Sequence, residues 1–87
     1  MKLNKKITVR SELGDVRYCV LDPDVSYEAQ LNTIAGFSDG GGLCVRFYED
    51  RLDFVDYFHD SMMACFPILS VEDTELPVQL KWTILRA

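Results

Sequence analysis

The chain has 87 residues, 48% of them hydrophobic and 26% charged, with a formal net charge of −5. That length accommodates one domain, residues 1–87, and the composition is that of a folded chain rather than a disordered one. No apolar run approaches the roughly 18–20 residues of a membrane-spanning helix. The charge is unevenly distributed. Residues 1–21 carry five Lys or Arg against two acids, whereas residues 22–75 carry two against twelve. So acidic a middle repels a phosphate backbone, so direct nucleic-acid binding is not expected, and a basic protein surface is the natural counterpart. The opening Met-Lys-Leu-Asn-Lys-Lys has the basic character of a secretory signal. Arg10 and Glu12, however, fall where the apolar core of such a signal belongs, so a cytoplasmic location is expected.

Ile7, Val9 and Leu13 alternate with polar residues, and after Gly14-Asp15 the residues Val16, Tyr18 and Val20 do the same. This pattern predicts a hairpin with a two-residue turn, pairing Leu13 with Val16, Glu12 with Arg17 and Val9 with Val20. Thr8, Cys19 and Leu21 fall on its second face. Asp22-Pro23-Asp24 is a helix-start signal, with Asp22 as cap and Pro23 at the first helical position. A helix is predicted over about 23–35, its apolar face made by Tyr27, Leu31 and Ile34, ending at Gly36. The glycines at 40–42 follow Asp39, but no Lys and no helix follows them, so a connecting loop is expected rather than a phosphate site. Leu43, Val45 and Phe47 then mark a strand apolar on both sides, which suits a central position.

Arg51–Phe66 reads as the second helix. Val55, Phe58, Met62, Cys65 and Phe66 recur at helical spacing, and Pro67 ends the run. On that helix Asp53, Asp56 and Asp60 form an acidic ridge, extended backwards by Glu49 and Asp50, with Tyr57 as an exposed aromatic among them. Ile68–Val71 is a possible short strand. Val78, Leu80, Trp82 and Ile84 alternate with polar residues in a final strand that turns Trp82 toward the core. The expected fold is α+β: a mostly antiparallel four- to five-stranded sheet with two helices packed on one face, in the order ββαβα(β)β.

No motif specifies a reaction. Cys19, Cys44 and Cys65 fit no zinc spacing and read as small buried hydrophobes, although Cys19, near Arg17 and Arg10, has the surroundings of a reactive thiol. Asp56 and His59, one turn apart, provide two metal ligands where catalytic zinc takes three. Neither cofactor nor metal is expected. The function expected is that of a small, acidic, non-enzymatic binding module or inhibitor that occupies a basic, possibly nucleic-acid-binding, surface of a partner protein. Inhibitors from phages or mobile elements, antitoxins and immunity proteins share that profile at the level of class. The candidate contact residues are Glu49, Asp50, Asp53, Asp56, Tyr57 and Asp60, with Tyr18, Tyr48 and Trp82 as further aromatic anchors. The alternative is a self-associating subunit, a homodimer through a sheet face or edge. A metal or hydrolytic protein using His59 is the third reading.

Overall fold

A computed structural model describes residues 2–35, 43–56 and 61–85. The elements in chain order are β1 (Asn4–Arg10), β2 (Val16–Leu21), α1 (Tyr27–Ala35), β3 (Leu43–Phe47), β4 (Arg51–Asp56), β5 (Ser61–Thr74) and β6 (Gln79–Leu85). The strands form one six-stranded sheet, β3-β4-β5-β1-β2-β6, in which every neighbouring pair is antiparallel. The α+β class is as expected, but among the described residues there are six strands rather than four or five, and one helix rather than two. That helix is too short to cross a membrane.

The two halves of the sheet meet in β5. Its first half pairs with β4, from Asp56↔Ser61 to Arg51↔Pro67, and its second half pairs with β1 on the opposite side, from Val9↔Ile68 to Asn4↔Thr74. Pro67 sits at the junction. Ile68 donates its N–H to the Asp50 carbonyl, toward β4, and Cys65 donates to the other side, so position 67 faces away from β4. A proline is tolerated there because β4 asks no donor of it. Asp50 and Ile68 thus bracket a residue that the sequence suggested as a helix stop.

The second expected helix is therefore replaced by β4 and the first half of β5. Arg51-Leu52-Asp53-Phe54 alternates charged and apolar residues, and that period-two signal prevails over the helical spacing. Leu52 and Phe54 reach the core, as do Ala64, Phe66 and Ile68 from β5. Phe58 and His59 lie outside the described residues.

The β1–β2 hairpin forms in a register different from the expected one. Val9 pairs with Arg17 and Ile7 with Cys19, and the loop is closed by Ser11 N–H to Asp15 O at 2.8 Å and Gly14 N–H to Ser11 O at 2.9 Å. Gly14 takes φ +92°, the left-handed conformation that glycine adopts without cost. The longer loop moves the pairing by an odd number of residues, which exchanges the faces of β2. Cys19 and Leu21 enter the core, Leu13 is left 85% exposed, and Arg17 pairs with Asp15 at 2.7 Å rather than with Glu12.

The helix begins at Tyr27, later than expected. Asp22 is used in a turn, its Oδ1 accepting from Asp24 N–H at 2.9 Å, and Ser26 is the cap, its Oγ accepting from Ala29 N–H at 3.3 Å. Leu31 is buried and Tyr27 and Ile34 pack partly against the core, as their spacing predicts. Gln30, a polar residue on the same helix, is buried. Its amide accepts Asp22 N–H at 2.8 Å and donates to Asp22 O at 2.9 Å and Val25 O at 3.2 Å, so it ties the helix to the end of β2.

β3 is an edge strand, not a central one. Its free amides are met by the helix: Val45 N–H donates to Asn32 Oδ1 at 2.7 Å and Phe47 N–H to Glu28 Oε2 at 2.8 Å. Covering an edge in this way keeps it from pairing with another chain. The helix also contacts β6, the opposite end of the sheet, so the sheet curls around it. The core of Ile7, Val9, Cys19, Leu21, Leu31, Val45, Leu52 and Phe54 fills the concave side, with Phe66 and Trp82 against it.

Candidate binding surface

The predicted contact residues do not form one ridge. Glu49 and Asp50 occupy the tip of the β3–β4 turn, closed by Tyr48 N–H to Arg51 O at 2.9 Å, and both are exposed. Arg51 crosses that tip. Its guanidinium lies 4.3 Å from the Tyr48 ring centroid and bonds Asp50 Oδ1 at 3.1 Å and Asp53 Oδ1 at 3.2 Å. The tip therefore carries its own cation. Asp53 is 6% exposed in the middle of β4, flanked by Arg46 on β3 and Cys65 on β5, because a strand turns alternate residues to opposite faces and neighbours cover this one. Asp56 ends β4 opposite Ser61, half-buried. Tyr57 and Asp60 lie outside the described residues. Of the other aromatics, Tyr18 lies beneath the Lys6 ammonium at 4.7 Å, and Trp82 faces Phe66 at 6.4 Å between ring centroids.

The thiols are placed for packing. Cys19 has no exposure, and burial pushes its thiol up to about 12. The Cys65 thiol is also raised, first by burial and then by its hydrogen bond to the Asp53 carboxylate, which favours the protonated form. Both shifts run opposite to what a nucleophilic cysteine requires. His59 and the metal reading built on it fall outside the described residues.

A different surface emerges from the exposed apolar residues. Among the described residues thirteen large hydrophobics are exposed, and nine of them, from Met62 to Leu85, lie on β5, β6 and their connection. The three most exposed are Leu13 at 85%, Met62 at 62% and Met63 at 60%. Glu12 links the two segments that carry them: its Oε1 accepts the Cys65 N–H at 2.7 Å, docking the β1–β2 turn against β5. Continuing the Val9↔Ile68 register brings Glu12 abreast of Cys65, so the bond extends the β1 pairing by a side chain where the backbone ladder has stopped. Leu13 is one residue from Glu12 and Met63 two from Cys65, which puts their Cα atoms within about 20 Å of each other. That is well inside a standard interface of about 800 Å² per partner.

A register shift between Phe54 and Val55 makes Met63 the extra residue of a bulge in β5, and Met62 and Met63 are both exposed. Two adjacent methionines give a flexible, polarisable contact surface. The sequence carried two signals for this patch, an apolar Leu13 beside a turn glycine and the Met62-Met63 pair. Both were absorbed into regular elements by the shorter turn and the helical spacing. Comparison of the chain with protein-family models, curated proteins and solved structures finds no match.

Proposed function

We propose that the protein is a non-enzymatic binding domain that engages another protein through Leu13, Met62 and Met63, with Glu12 and Asp56 at their margin. The observation that carries this reading is the Glu12–Cys65 bond, which sets the turn bearing Leu13 beside the strand bearing Met62 and Met63, the three most exposed large apolar residues among those described. An exposed apolar cluster rimmed by polar groups is the usual mark of a protein contact. The carboxylates at its margin and the net charge of −5 favour a partner whose facing surface is basic. Such a domain acts by occupying the partner's surface, in the manner of an inhibitor or antitoxin.

Affinity capture from native-host extract tests this with two variants that both keep the fold. Met62→Lys/Met63→Lys places two like charges before a basic partner and should abolish capture. Glu49→Lys/Asp50→Lys alters the hairpin tip and should retain it. Retention by the methionine variant would refute the assignment, and loss only in the tip variant would return the contact to the acidic turn.

A second reading rests on β6. Among the described residues this strand pairs with β2 alone, and it exposes Leu80, Ile84 and Leu85, so two copies could meet along it. A solution mass that stays monomeric at millimolar concentration would remove that reading.

A further inference from the structure

We infer that the partner presents an extended segment that adds as a strand to the open edge of β5 at Ser61–Ala64, with a cation at its N-terminal end meeting Glu12. This deepens the proposed function and rests on it. From Ser61 to Ala64, β5 pairs with β4 on one side, and among the described residues no strand pairs with it on the other. The opposite edge of the sheet is treated differently, since β3 has its amides capped by Asn32 and Glu28. On β5 the capping stops at Cys65, where one oxygen of Glu12 takes the place of a strand carbonyl. Four open residues span about 13 Å, room for a short strand in line with β1.

The chemistry of the occupant follows from what β5 already accepts. Along its second half β5 takes Asn4-Lys5-Lys6-Ile7-Thr8-Val9, the run just before Arg10, as an antiparallel neighbour. A second strand laid in the same direction begins beside Ala64, next to Glu12, and ends beside Ser61, across from Asp56. A basic residue at its start meets a carboxylate, and β-branched residues suit the pleated edge. Charge also excludes the simplest competitor. Two copies of this chain joined edge to edge would bring Glu12 and Asp56 of one against the same residues of the other, each chain carrying −5.

The test uses the full chain, labelled with ¹⁵N, and the synthetic peptide acetyl-Lys-Ile-Thr-Val-Arg-amide. Two analogues carry N-methyl groups on one or the other alternating set of amides. In an antiparallel pair only alternate amides face the neighbour, so one analogue should lose about tenfold in affinity and the other stay within about twofold. Amide shifts should centre on Met62–Ala64, and Glu12→Gln should weaken the parent peptide about two- to fivefold. Equal binding by both analogues, shifts elsewhere, or no binding by the parent peptide would overturn the strand-addition proposal. Those outcomes leave the parent reading to the capture experiment, where retention of the partner by Met62→Lys/Met63→Lys would overturn the surface itself.

Discussion

Gln30 offers the clearest quantitative test of how the helix is fixed to the sheet. It is 6% exposed, and its amide makes three bonds at 2.8, 2.9 and 3.2 Å to the backbone of Asp22 and Val25, besides a longer one of 3.5 Å to Ser26 O. Gln30→Met keeps the length and volume of the side chain and removes all three. At about 1 kcal/mol net for each bond the loss is about 3 kcal/mol, reduced by up to about 1 kcal/mol because the thioether is more readily buried. The expected destabilisation is therefore about 2–3 kcal/mol. In a domain of this size that lowers Tm by about 10–20 °C. Urea unfolding is the suitable assay, since a fall in midpoint with an unchanged slope isolates a stability effect from a change in the unfolded chain. A loss below about 0.5 kcal/mol would refute the argument, because it would mean that water replaces the amide freely at the β2–α1 junction.

Gly14→Ala meets open space but must hold φ +92°, so it should cost about 1–2 kcal/mol by chemical denaturation, with Gly14→Asn costing less. Cys19 has an ordinary thiol value of 9.0 and is held at about 12 by burial, so above pH 9 the unfolded chain ionises while the folded one does not. Stability should then fall by about 1.4 kcal/mol per pH unit from pH 9 toward 12, and Cys19→Val should flatten that slope. Asp15 is held below its ordinary value of 3.8 by the hydrogen bonds from Arg17 and then Ser11. Its contribution is therefore present above that pH and lost as pH falls through the lower folded value, so Asp15→Asn should reduce the acid-limb dependence of stability below about pH 4.

The sequence made the strands with strict alternation legible: β1, β3 and β6 lie where Ile7–Val9, Leu43–Phe47 and Val78–Ile84 place them. It also made legible the apolar face of α1 at Tyr27, Leu31 and Ile34. What misled was ambiguity between periods. Val55, Met62, Cys65 and Phe66 fit a helix as well as Leu52 and Phe54 fit a strand, and only pairing with β3 and β5 decides between them. The acidic ridge depended on that helix. As a strand, the same stretch sends Asp53 between Arg46 and Cys65 and leaves Glu49 and Asp50 at a tip shared with Arg51. The Leu13, Met62 and Met63 patch depends on a bond between residues 53 positions apart, Glu12 and Cys65, which no local pattern announces.

Hydrogen exchange of the protein, free and bound to the partner it captures, reads the docking edge of β5 directly. Slowed exchange is expected at Ser61–Cys65 and across the Ser11–Gly14 turn, with the β3–β4 tip and β6 unchanged. Protection confined to Tyr48–Arg51 or to Gln79–Leu85, with β5 exchanging as in the free protein, would contradict docking at that edge.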